Sequence, residues 1–142
     1  MIEDNELIRI ATETTNPRDL SPSMDAGGVA SALVTEQGTV FTGVCINTAC
    51  SMGFCAEHNA IGTMLTAGES KIATIVAVDD EGRILPPCGR CREFIYQTDP
   101  YNSNTRVLLP GGRVKSIAEL LPDHWREDKT ARELAAKQQD SA

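Results

Sequence analysis

The chain has 142 residues, 41% hydrophobic and 23% charged, which is the size and make-up of one ordinary globular domain. Thirteen basic and twenty acidic residues leave a net charge of −7, so no bulk basic face is available to follow a phosphate backbone, and long nucleic acid is excluded as a partner. The first residues, Met1 to Glu6, are acidic where an export signal needs positive charge, and no apolar run approaches membrane-spanning length. These features predict a cytoplasmic protein with no membrane partner. Five cysteines, an odd number, are then expected to be reduced.

Residues Glu3 to Thr15 read as a helix with Leu7, Ile8, Ile10 and Ala11 on one side, ended by Asn16-Pro17. The stretch from Asn16 to Gly28, with its prolines, serines and glycines, reads as a loop. Val29 to Thr35 and Thr39 to Asn47 are β-like and joined by a short hairpin connection. Cys55 to Gly68 has helical periodicity with a glycine stop, and Ile72 to Val78 reads as a strand buried on both faces. Cys88 to Thr98 is helical again and stops before Pro100. Arg106 to Leu109 and Arg113 to Lys115 flank Pro110-Gly111-Gly112, a turn too short for a parallel crossover, so these strands must be antiparallel. Ser116 and Glu119 have capping-box spacing at the start of a last short helix.

The order α-β-β-α-β-α-β-β-α predicts an α/β fold, a three-layer α-β-α sandwich around a five-stranded mixed sheet. Residues 1–125 form the expected domain. The charged segment 126–142 reads as an appended helix or tail.

Chemistry concentrates at two helix starts. Cys88-Gly89-Arg90-Cys91 alone admits three readings: half of a structural zinc site, a redox dithiol, or two core cysteines. Cys55-Ala56-Glu57, at the earlier helix start, adds a third thiol and a carboxylate. Three thiolates can hold one Zn²⁺ and leave a fourth position for water, which is the arrangement of a catalytic rather than a closed structural site. Glu57 lies within one helical turn of Cys55 and so within reach of that water. Helix N-termini suit thiolates because the dipole presents its positive end there. Cys45 and Cys50 read instead as buried small apolar residues.

The pairing of Cys-Ala-Glu with Pro-Cys-x-x-Cys resembles the zinc-dependent cytidine deaminase superfamily. The likeness runs over about residues 26 to 125. Three cysteines resemble the branch that acts on free nucleosides, which contains blasticidin-S deaminase and the small cytidine deaminases. Blocks such as Phe41-Thr42-Gly43-Val44 and Cys88-Gly89-Arg90-Cys91-Arg92 are similar to the blasticidin type. The resemblance implies one zinc per chain held by Cys55, Cys88 and Cys91, Glu57 as the catalytic acid and base, and Arg90 beside the thiolates. It implies a small nucleoside substrate and a homo-oligomer, a tetramer, and it makes Ser31, Asn47 and Trp125 candidate substrate contacts.

The chain departs from the cytidine deaminase pattern at three places. Gly27 stands where a pocket phenylalanine is expected, and His58 stands where an arginine follows the glutamate. Cys45-Ile46-Asn47 aligns with a ribose-binding Asn-x-Glu, so its carboxylate is absent. These departures predict loose recognition of the sugar, with Cys45→Asn plus Asn47→Glu restoring it.

Overall fold

The computed structural model describes residues 1–125 and 127–140. It contains α1 (Asp4–Thr14), β1 (Arg18–Ser21), β2 (Met24–Thr35), β3 (Val40–Asn47), α2 (Ala56–Thr66), β4 (Ile72–Asp79), α3 (Gly89–Thr98), β5 (Arg106–Leu108), β6 (Val114–Ser116), α4 (Ile117–Leu120) and α5 (Glu127–Asp140). Of the 126–142 segment, residues 127–140 are thus helical, while 126, 141 and 142 lie outside the described residues.

All pairings in the sheet are antiparallel except β4 with β5. The long strand β2 is central, pairing with β3 along one side and with β4 and β1 besides. The sandwich follows from alternation along β2. Ala32 and Val34 point to the α1 side, joining Leu7, Ala11, Val76 and Val78. Leu33 points the other way, joining Ile61 and Met64 of α2, Ile95 of α3 and Ile117 of α4. Strand β4 contributes to both layers, as its unbroken apolar run requires.

The sheet has six strands where the sequence reading has five. The extra strand, β1, lies in the segment expected to be a loop, and all four of its residues are exposed. A strand exposed on both faces has no apolar alternation to reveal it. It pairs only with the start of β2, which begins at Met24 rather than Val29. Between these two points β2 bulges, with Gly27 at φ +91°.

The local stop and start signals are realised. Gly68, at φ +91°, closes α2: the amide of Glu69 donates to Met64 O (3.2 Å) and that of Gly68 to Leu65 O (3.0 Å). Ser116 and Glu119 form the reciprocal capping box that opens α4. Asn102 is fully buried and ties the second layer together. Its Oδ1 accepts from Ile72 N (2.8 Å), and its Nδ2 donates to Ser70 O and Ile95 O, both at 3.0 Å.

Candidate active site

Helix α2 can lie close to β3 because residue 43 has no side chain. A Cβ at Gly43 would stand 2.4 Å from the backbone nitrogen of Ala60. Cys55 is the N-cap of α2 and Cys88 the N-cap of α3, with Cys91 one turn into α3. The fold therefore brings two helix starts, 33 residues apart, to one point.

There the Cys55 and Cys88 sulfurs are 3.7 Å apart and the Cys88 and Cys91 sulfurs 3.3 Å apart. All three lie within 4.8 Å of one another, the one such cluster of His, Cys, Asp or Glu donors among the described residues. With Zn–S bonds of ~2.3 Å and tetrahedral angles, ligating sulfurs stand about 3.8 Å apart, so the cluster fits one zinc ion. All five cysteines are free thiols. Burial pushes the Cys91 thiol far up, helped by the nearby Glu57 charge, and burial also raises Cys55. At Cys88 burial pushes upward too, but the Cys91 amide and the neighbouring thiols outweigh it and hold the group low. A bound cation would reverse the upward shifts, since a coordinating thiol is held as thiolate.

Glu57 is 6% exposed and faces this cluster from the first turn of α2, and burial lifts its carboxyl above the ordinary range. His58 stacks on Phe94 of α3 with ring centroids 4.4 Å apart, and its Nδ1 lies 3.4 Å from Cys91 Sγ. Burial, then the charge of Arg90, lowers its pKa. His58 thus packs against α3 and touches a candidate ligand. Arg92, named above only as part of a similar block, donates to Pro87 O (2.9 Å) and Leu120 O (3.3 Å), fixing the start of α3 against the end of α4.

An open cleft of about 330 Å³ reaches Cys55 and is lined also by Cys45, Asn47, Thr48, Ser51, Phe54 and Arg90. Asn47 therefore lines the same cleft as Cys55. Phe54 was legible only as the neighbour of Cys55. Ser31 is placed elsewhere: it is fully buried in β2, and its hydroxyl donates to Val76 O at 2.8 Å. Its small polar side chain is used up within the sheet. Trp125 is 77% exposed and its backbone amide donates to Glu93 of α3. Arg90 lines both this cleft and a second one beside His58, Glu93 and Phe94.

Cys45 and Cys50 stand apart from the sulfur cluster, but Cys50 is not buried. It is exposed, at φ +60°, in the turn after β3. Cys45 is half-buried and takes the Val29 amide on its sulfur at 3.3 Å. Gly27 does not line the cleft, and a Cβ there would meet Asn16 O at 2.1 Å.

A three-thiol metal site at two helix starts, with a buried carboxylate beside it, is the arrangement of a zinc-dependent hydrolase. The family model described as "Cytidine and deoxycytidylate deaminase zinc-binding region" matches residues 1–105. Blasticidin-S deaminase of Bacillus cereus is 32% identical over 130 residues, covering 84% of this chain and 90% of that protein. Cytidine deaminase of Sporosarcina psychrophila is 37% identical over 105 residues, covering 70% and 76%. Among solved structures, cytidine deaminase from Mycobacterium leprae superposes with a TM-score of 0.73 at 26% identity, covering 87% of this chain and all (100%) of that one. That from Burkholderia pseudomallei gives 0.68 at 30%, with coverage of 87% and 100%.

The chain belongs to the cytidine and deoxycytidylate deaminase family. It is a zinc-dependent hydrolytic deaminase. No helix among the described residues is long and apolar enough to cross a membrane.

Proposed function

We propose that this enzyme acts on a cytosine ring carried by a small nucleoside, replacing the exocyclic amino group by oxygen and releasing ammonia. The observation that carries the reading is Glu57, a buried carboxylate beside three thiols, one of which, Cys55, lines a cleft large enough for a small ligand. Cys55, Cys88 and Cys91 would hold the zinc, which when bound makes water a usable nucleophile near neutral pH.

Glu57 takes a proton from the attacking water and delivers it to ring N3 as the C4–O bond forms. It then carries a second proton to the amine as the C4–N bond breaks, so that one water is consumed and one ammonia leaves. Burial raises its carboxyl above the ordinary range, the direction that makes it a better proton acceptor. Arg90, which lines the cleft with Cys55, would bring a positive charge to offset part of the negative charge of the thiolates.

A cytosine nucleoside with an altered sugar side, as in blasticidin S, is the second reading. It is favoured by a relative that matches 84% of the chain and by Cys45-Ile46-Asn47, which has no acid. Residues 1–125 serve as the catalytic domain in this reading, working in the cytoplasm as a homotetramer, which light scattering tests. The deciding experiment is an ultraviolet and ammonia-release assay of zinc-loaded protein against cytidine, deoxycytidine and blasticidin S, with Glu57→Gln as the blank. Turnover of none of them by protein carrying one zinc per chain refutes the reading.

A further inference from the structure

We propose that Asp25 is a specificity-determining residue which, with Asn47, forms an accepting rim for the sugar hydroxyls of the substrate. This rests on the nucleoside reading above. Asp25, near the start of β2, is paired with Asn47 at the end of β3. Asn47 Nδ2 donates to Asp25 Oδ1 at 2.7 Å. An ionised carboxylate only accepts, so this bond settles which end of the Asn47 amide faces Asp25. What remains at this place is Asn47 Oδ1 and the unused lone pairs of Asp25 as acceptors, with the second Nδ2–H of Asn47 as a single donor.

Asn47 lines the same cleft as Cys55. A ligand whose reacting ring lies at the thiols extends toward Asn47 and the acceptor-rich pair it makes with Asp25, and the complementary groups on a nucleoside are its sugar hydroxyls. The carboxylate missing from Cys45-Ile46-Asn47 is supplied from the neighbouring strand, 22 residues earlier. Asp25 also has Asp19 of β1 opposite it on its other side. Asp19 brings the same charge one strand further away, which separates hydrogen bonding from simple attraction of a cation.

The test uses the zinc-loaded full chain and two ligands that are not consumed, uridine and 2′,3′-dideoxyuridine, titrated calorimetrically. Asp25→Ala should weaken uridine binding about tenfold, the usual worth of a hydrogen bond to a charged group. It should leave dideoxyuridine unchanged and raise KM for cytidine with kcat preserved. Asp19→Asn should leave all three unchanged, and Asp25→Asn, which preserves the side chain's size, should fall between and serves if the alanine variant does not fold. Equal weakening of both ligands, no weakening at all, an equal loss in Asp19→Asn, or a wild type that binds neither ligand overturns the proposal. Hydroxyl-dependent binding lost in Asp25→Ala, in a protein that deaminates no cytosine compound, upholds the rim and refutes the deaminase substrate instead.

Discussion

Asn59 of α2 donates its side-chain amide to Val44 O of β3 at 3.1 Å, directly beyond the glycine that lets the helix approach the strand. This contact sets how deep α2 sits, and so where Cys55 and Glu57 are presented. Gly43→Ala drives a methyl into the Ala60 backbone and should destabilise by about 1–3 kcal/mol while weakening zinc retention. Gly62→Ala, in the same helix with open space around it, should instead stabilise by about 0.5–1 kcal/mol. Thermal unfolding of the two variants and their zinc content check this contrast.

Metal content should follow the sulfur geometry. Serine at Cys55, Cys88 or Cys91 should lose zinc, with Cys88→Ser plus Cys91→Ser losing it entirely, because each sulfur is one corner of the cluster. Cys45→Ser and Cys50→Ser should keep one zinc per chain. Elemental analysis decides, and metal retained in the double variant would refute the assignment.

Glu57→Gln should bind zinc and fold as wild type but lose turnover by about 10²–10⁴-fold, since an amide cannot accept the proton of attacking water. Stopped assays on whichever substrate the ultraviolet panel identifies measure the loss. Wild-type turnover in this variant would remove Glu57 from the mechanism.

Asp4 of α1 receives the Arg106 guanidinium of β5 at 2.8 and 2.9 Å, and that bond holds its carboxyl below the ordinary range. A depressed carboxyl contributes stability that is present above its unfolded pKa of about 3.9 and is lost as pH falls through the lower folded value. Both side chains are substantially exposed, so the contribution is at most about 1 kcal/mol. Asp4→Asn should lower stability by that much or less at pH 7, and the difference should vanish near pH 2. Denaturant melts at both pH values, with and without salt, measure it.

How far the sequence could be read depended on range. The ligand set was legible because Cys55, Glu57, Cys88 and Cys91 occupy helix starts whose signals are local, as were the Gly68 stop, the capping box and the β5–β6 hairpin. Strand β1 was illegible because exposed residues carry no period. Ser31 and Cys50 misled for a related reason: a residue type suggests burial or reactivity, but its hydrogen-bond partner and turn conformation decide. Asp25 could not be paired with Asn47 without the register of β2 on β3. That register also reverses an expectation, since Asn47→Glu would set two carboxylates face to face across the ladder, where like charges repel.

The two helix starts that carry the thiols are joined through α2 and β4, so an ion held between Cys55 and Cys88 closes a loop of 33 residues. A cross-link of that span restricts the unfolded chain by about 3–4 kcal/mol on loop-entropy grounds. The cofactor thereby doubles as a clasp. A protein stripped by a chelator is not only silent but loosened, and its resistance to heat and proteolysis becomes a reading of the free zinc around it.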